Sequence, residues 1–288
     1  MEKNPFSLRD FLGYVIPGAV ALLFIYAFYL YRCDKFCAEY FYRITFKFSD
    51  TLILLLSSYV VGHIVAYMSS LTIEKFSIWL YGYPSDYLLR DIEKGNYFNV
   101  QSPNCSIKLI WRLMVAFILL PISICTLIIS KLFGVKDFYV RKLDQGLINT
   151  IMRCSFQLAE YLRYEVEVDK EIDYQRVISH YEYEVQANHV SKFDNYVALY
   201  GFHRVLAFIF NCAFMYLGYD IIHMCFVEKS QISNTLFLAF IGIGLLSYLF
   251  FMSFMKFYRR YTLENFMCLI VDKSYRRSDE YTYTSHIL

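Results

Sequence analysis

Four stretches of this sequence are apolar over about 20 residues each, which is the length that one helix needs to cross a lipid bilayer. They are residues 11–31, 51–71, 205–226 and 236–254. Of the 288 residues in the chain, 57% are hydrophobic and 19% are charged. An ordinary soluble domain has about a quarter charged residues and no apolar run of this length. The sequence therefore predicts an all-α integral membrane protein with four firm transmembrane helices.

A fifth apolar stretch covers residues 115–133, but polar residues and a proline interrupt it. The stretch is long enough to cross the bilayer, and it contains Pro121, Ser123 and Thr126. We interpret it as a fifth span or as a helix that dips into the membrane.

The spans divide the chain into six predicted segments. Residues 134–204 carry apolar residues at spacings of four or seven, which is typical of amphipathic helices. The segments are an N-terminal helical hairpin (1–71), a polar connection (72–114), the ambiguous stretch (115–133), a cytoplasmic helical region (134–204), a C-terminal helical hairpin (205–254) and a basic cytoplasmic tail (255–288).

The distribution of lysine and arginine restricts the topology, because these residues prefer the cytoplasmic side. Four crossings, with 115–133 not crossing, place 23 of the 28 lysines and arginines inside and 5 outside. Five crossings with an external N-terminus place 20 inside and 8 outside. Five crossings with a cytoplasmic N-terminus place 8 inside and 20 outside, and we reject that arrangement. Hydropathy favours five crossings with an external N-terminus. Both retained arrangements put residues 134–204 and the C-terminus in the cytoplasm.

The second span has one face made only of small residues. Ser58, Gly62, Ala66 and Ser70 recur every four positions, which is the spacing by which membrane helices approach one another closely. We expect this face to pack against another helix, either to join copies of the chain or to line a pore.

His63, in the same span, is expected near the membrane midplane, where an ionisable side chain is costly and usually functional. Three roles remain open for this imidazole. It can hydrogen-bond a neighbouring helix, line a water-filled path, or take part in proton sensing or transport.

The other candidate residues lie in the C-terminal half of the chain. Asn211 lies deep in its span and is interpreted as a polar contact between helices. Asp220 lies near the end of the same span and marks either the water interface or an ion-selective position. Lys256, Arg259 and Arg260 follow the last span. They either contact anionic lipid, as basic residues at a membrane exit do, or bind an anionic ligand.

The sequence contains no recognisable catalytic or metal-binding motif. It has no GxSxG, phosphate-binding loop, HExxH or GxGxxG, and its eight cysteines lack zinc-type CxxC spacing. We therefore expect no metal, no cofactor and no enzymatic activity.

Four motifs resemble a class of uncharacterised bacterial multi-span membrane proteins. They are NPFSLRDFLGYVIPGAVAL at 4–22, YVVGHIVAYMSS at 59–70, NYVALYGFHR at 195–204 and FYRRYTLENF at 257–266. The class includes effectors of anti-phage defence, such as the transmembrane effector of the Hailong system. The resemblance implies an oligomeric inner-membrane channel controlled by a nucleotide or oligonucleotide. A partner nucleotidyltransferase would make this signal, and pore opening would depolarise the infected cell in abortive infection.

We accordingly expect a homo-oligomeric channel or pore, with a tetramer as the assumed assembly, opened from the cytoplasm by an anionic signal. Two alternatives remain: a membrane-embedded enzyme or transporter, and a membrane anchor or scaffold for a soluble partner.

Overall fold

The structure is a computed structural model that describes residues 10–33, 48–89, 97, 105–133, 140–161, 174–228 and 233–271. Every regular element in these ranges is helical, so the all-α prediction is confirmed. The α-helices are α1 (Ile16–Arg32), α2 (Phe48–Ser69), α3 (Lys75–Tyr81), α4 (Pro84–Leu89), α5 (Cys105–Ile118), α6 (Leu120–Phe133), α7 (Gln145–Tyr161), α8 (Tyr174–His223) and α9 (Asn234–Val271). Three described segments are π-helical: π1 (Phe11–Val15), π2 (Ser70–Glu74) and π3 (Met224–Glu228).

Four helical stretches in the described residues are long and apolar enough to cross a membrane, which confirms the four firm spans. They are Phe11–Arg32, Ser49–Leu89, Asn195–Val227 and Asn234–Val271. The third stretch belongs to the 50-residue helix α8, which begins well before the predicted span. Helix α9 likewise continues to Val271, beyond the predicted span end at residue 254. The part of the predicted basic tail from residue 272 onward lies outside the described residues.

Helices α1 and α2 are in backbone contact through two glycines. A Cβ atom added at Gly18 would overlap the carbonyl oxygen of Ser58, and one added at Gly62 would overlap that of Tyr14. Ala66, one turn further along α2, is buried with Ala21 of α1 and Val205 of α8. The small-residue face therefore packs the hairpin α1–α2 and its contact with α8 within one chain.

Helices α8 and α9 form the second hairpin and pack along most of their length. The buried Ser247 hydroxyl donates to the Ala207 carbonyl oxygen at 3.0 Å. The rings of Phe214 and Phe240 stack with centroids 4.1 Å apart, and those of Tyr200 and Tyr258 lie 5.3 Å apart. These contacts extend over about four turns of α8 and five turns of α9, which makes the hairpin the central element of the bundle.

The ambiguous stretch 115–133 is not one straight helix. Its helical segments Ser106–Ile118 and Leu120–Ile129 meet at 90°. Pro121 explains the break, because its ring has no N–H to donate and clashes with the carbonyl four residues earlier. The break itself is protein-covered, with Leu119 and Ile122 buried against Phe251 of α9.

Two sets of contacts define the ends of the bundle. At the distal end, the last turn of α1 meets α8 through Arg32 and Asp220, whose side chains form an ion pair at 3.5 Å. At the proximal end, Tyr14 of π1 and Arg204 of α8 border the same cavity. The N-terminal part of the first span and the start of the third span thus lie at the same end.

The bent pair α5–α6 enters and leaves at the proximal end. Tyr97, which precedes it, packs on Phe76 with ring centroids 5.5 Å apart. Leu143, which follows it, donates its backbone N–H to the Leu88 carbonyl oxygen at 3.0 Å. These are the contacts of a re-entrant pair between four spans, which is one of the two arrangements that helix length and composition allow.

Candidate functional site

The break between α5 and α6 lies beside the third span, where Asn211 holds it. The fully buried Asn211 Nδ2 donates to the Ile118 carbonyl oxygen at 2.7 Å. Asn211 is nine positions before Asp220, so it lies about 14 Å along α8 from the distal ion pair. This position is close to the middle of a hydrocarbon core of about 30 Å. Asn211 thus joins two helices at the depth where α5 ends.

Two buried polar atoms in this region have no hydrogen-bond partner among the described residues. They are Asn211 Oδ1 and the Thr126 hydroxyl oxygen of α6. An unpaired buried polar atom costs about 1–3 kcal/mol, and ordered water commonly removes that cost. Irregular backbone at membrane depth is tolerated where protein covers it or where it lines a water-filled cavity. The break therefore holds two polar atoms inside the bundle whose hydrogen bonds the described residues do not complete.

The approach to the bent pair is held by a reciprocal contact between Tyr97 and Arg112. The Tyr97 hydroxyl donates to the Arg112 carbonyl oxygen at 2.7 Å, and Arg112 Nη1 donates to the Tyr97 carbonyl oxygen at 2.6 Å. Burial raises the pKa of Tyr97 to about 12, although the nearby Arg112 charge opposes this shift, so the hydroxyl stays protonated. The Arg112 guanidinium also lies 5.4 Å from the Trp79 ring centroid. These contacts attach α5 to α3.

The structure places the imidazole of His63 against the start of the first span. Its ring stacks on Tyr14, with centroids 3.8 Å apart, and the edge of Tyr59 lies 4.5 Å away. Tyr14 is eighteen positions before Arg32, about 27 Å along the first span. His63 therefore lies at the level of the proximal end of the first span. Its side chain is exposed on the outer surface of the subunit.

The small face of α2 also has a different role from the expected contact between copies. Ser58, Gly62 and Ala66 are buried, and their packing partners belong to the same chain. Ser70 lies in π2, is half-buried, and donates its hydroxyl to the Tyr67 carbonyl oxygen at 2.7 Å. Within one subunit, none of these four residues is brought to the break beside Asn211.

Asp220 belongs to a polar group at the distal end. It is 4% exposed, accepts a hydrogen bond from the Tyr31 hydroxyl at 3.0 Å, and pairs with Arg32. Arg32 Nε also donates to the Tyr216 hydroxyl at 3.0 Å. This arrangement ties the end of α1 to α8 and accounts for a carboxylate close to the membrane boundary.

The three basic residues of α9 do not form one cluster. Lys256 and Arg260 are exposed and lie one turn apart, and Arg260 pairs with Glu264 at 3.0 Å. Arg259 is half-buried, and its Nε has no hydrogen-bond partner among the described residues. An anionic ligand on the outer surface would therefore contact Lys256 and Arg260, whereas Arg259 is half-buried and less accessible to it.

Sequence reasoning missed the ion pair between Glu74 and Arg204, whose side chains bind each other across 130 positions of sequence. It also missed Arg32 as the partner of Asp220. No sequence spacing could have paired these residues, because the contacts depend on how separate helices align.

Comparison of the chain with protein families, with curated proteins and with solved structures finds no match. The described residues contain no group of three or more histidine, cysteine, aspartate or glutamate side chains arranged to hold a metal ion. Function is therefore argued from the geometry of the bundle and from the resemblance described above.

Proposed function

We propose that copies of this chain assemble into an ion channel in a bacterial inner membrane and that the re-entrant pair α5–α6 borders the conduction path. The observation that carries the proposal is the break held by Asn211 near the middle of the membrane. Broken helices occur at membrane depth in channels and transporters, where their freed backbone groups face ions or water. The unpaired Asn211 Oδ1 and Thr126 hydroxyl lie at this break, buried inside the subunit, and in the proposal an ion path beside the break would supply their missing partners.

The distribution of charge supports a cytoplasmic location for the proximal end. With four crossings and a re-entrant pair, this assignment places 23 of the 28 lysines and arginines in the cytoplasm. Basic residues near membrane ends favour that side. Helix α8, the C-terminus and the N-terminus would then all be cytoplasmic.

The contact between copies is assigned to α5 in this proposal. The small face of α2 is occupied inside the subunit, whereas the outer face of α5 is apolar and exposed. This face consists of Ile107, Ile110, Trp111, Leu113, Met114 and Phe117. Packing of α5 against a second copy would place the break next to a subunit interface, and a tetramer remains the assumed assembly.

A cytoplasmic nucleotide or oligonucleotide is the proposed opening signal. The exposed pair Lys256 and Arg260 offers two cations on one face of α9, close to the proximal membrane boundary. The resemblance to anti-phage effectors supports this signal, its synthesis by a partner nucleotidyltransferase, and depolarisation of the infected cell as the outcome.

Ion flux from liposomes containing the purified full-length protein tests the proposal. We expect the rate of K⁺ efflux to be at least tenfold higher than in protein-free liposomes when a cyclic or linear di- or trinucleotide is added on the proximal side of the bundle. A soluble protein of similar mass, added to empty liposomes with the same nucleotides, is the control. Protein-free flux rates under every nucleotide tested would contradict channel activity.

A membrane anchor for a soluble partner is the second candidate function. Residues 174–194 of α8 precede the membrane-spanning stretch and would extend it by about 31 Å. This length of helix favours contact with a cytoplasmic protein. A stable complex with a partner, together with the absence of ion flux, would support the anchor instead of the channel.

A further inference from the structure

A small cavity of about 90 Å³ lies between the start of the first span and α8, at the proximal end of the bundle. Its lining combines small residues with one charged side chain, and the residues that matter here are Gly13, Tyr14, Ala66, Gly201 and Arg204. The cavity has room for one small polar group such as a phosphate. Because Tyr14 is about 27 Å from Arg32 along the first span, the cavity lies at the level of lipid headgroups.

The guanidinium of Arg204 has unused hydrogen-bonding capacity at this cavity. Its Nη1 is bound by the Glu74 carboxylate, and its Nε is buried away from the cavity without a partner among the described residues, so the donors left for a ligand are the remaining N–H groups of Nη1 and Nη2. The side chain of Arg204 is only 15% exposed. A guanidinium has five N–H donors and can bind a carboxylate along one edge while it presents another edge to a second anion. Glu74 therefore orients Arg204 without using all its donors.

One π-helical segment lines this cavity, and a second supplies the partner of Arg204. Gly13 and Tyr14 belong to π1, and Glu74, the partner of Arg204, ends π2. π-Helical turns are rare and frequently mark functional sites, because they shift side chains relative to a regular helix. Their presence on two separate helices around one arginine is an observation independent of the charge.

We propose that the Arg204 cavity binds a phosphate group, carried either by a membrane lipid or by a soluble phosphate ester. Arginine matches phosphate oxygens in geometry and charge, and the tyrosine and glycine lining permits close approach. The cavity is separate from the break at Asn211 and from Lys256 and Arg260. The inference does not depend on ion conduction.

Gly201 allows the cavity to be filled without a clash inside the fold, and Gly242 provides a control position outside the cavity. A Cβ atom added at Gly201 would meet no atom within 4 Å, and the same holds at Gly242 of α9, which is not among the cavity residues. Gly201→Leu therefore blocks the cavity, and Gly242→Leu is its matched control. Gly201→Ala is a milder second variant in case the leucine prevents folding.

The test measures the thermal midpoint of the full-length protein in detergent with two pairs of probes. The lipid pair is dioleoylphosphatidic acid against dioleoylglycerol, which lacks the phosphate, and the soluble pair is glycerol phosphate against glycerol. Because a ligand stabilises the state that binds it, we expect at least one phosphate probe to raise Tm by several degrees over its phosphate-free counterpart. A response in the lipid pair alone identifies a headgroup, and one in the soluble pair alone identifies a free ester.

The variants decide whether the cavity is the binding site. Gly201→Leu should reduce the apparent affinity for the active probe at least tenfold, Gly201→Ala should reduce it less, and Gly242→Leu should leave it unchanged. The inference is overturned if neither phosphate probe raises Tm in the wild-type protein. Equal affinity in wild type and both Gly201 variants would also overturn it.

Discussion

Replacement of Gly62 with leucine should prevent the first two spans from packing and leave little folded protein in the membrane. Even a Cβ atom at this position would overlap the Tyr14 carbonyl oxygen, and backbone atoms cannot move aside as side chains do. Overpacking in a well-packed core commonly costs 1–3 kcal/mol, and a clash with backbone places this variant at about 3 kcal/mol or more. Yield of monodisperse protein and its Tm in detergent, measured by size-exclusion chromatography with a heating step, check this expectation.

The matched control is Gly242→Leu, because the space around Gly242 is open. It should keep the yield and the Tm of the wild type within a few degrees. The outcome also distinguishes the two roles considered for the small-residue face. If Gly62→Leu gave a normally folded subunit that merely failed to assemble, the face would join copies, and the packing described within one chain would be wrong.

Replacement of Asn211 with leucine should abolish most of the ion flux while the protein still folds. The change removes the hydrogen bond to the Ile118 carbonyl oxygen and leaves that acceptor unpaired at membrane depth. Such a loss costs about 1–3 kcal/mol. Because 1.4 kcal/mol corresponds to a factor of ten in an equilibrium, a loss of 1 kcal/mol is about fivefold, and we expect at least a fivefold lower flux rate in liposomes at equal reconstituted protein.

Ser247→Ala provides the control for this prediction. Ser247 is as deeply buried as Asn211 and donates a comparable hydrogen bond, but its partner is Ala207 of α8 and not the bent pair. We expect a similar small loss of Tm and an unchanged flux rate. Equal flux in wild type and Asn211→Leu would remove the bent pair from the conduction path.

The sequence predicts those features that depend on local composition. Run lengths and hydropathy identified the four spans, and Pro121 signalled that residues 115–133 would not be an ordinary helix. These features depend on the length of a helix and on the chemistry of one residue. They need no knowledge of which helices are neighbours.

The features that the sequence could not supply depend on the alignment of separate helices. The centre of an apolar run gives no neighbour for His63, and the contact with Tyr14 becomes visible only when π1 and α2 lie side by side. The spacing of Ser58, Gly62 and Ala66 correctly indicated close helix packing. It could not indicate that the partner is the preceding helix of the same chain.

Labelling of single-cysteine variants in intact bacteria tests the four-crossing topology most directly. Cys33 and Cys225 are both exposed and lie at the distal end, just after the Arg32–Asp220 contact on each helix. Two variants that each retain one of these cysteines report the distal end. A third variant, which carries Asn195→Cys in a cysteine-free background, reports the proximal end, where Asn195 is exposed. A membrane-impermeant maleimide should label Cys33 and Cys225 from outside and reach Asn195→Cys only after permeabilisation. Labelling of Cys225 with protection of Cys33 would indicate five crossings and would contradict the re-entrant pair.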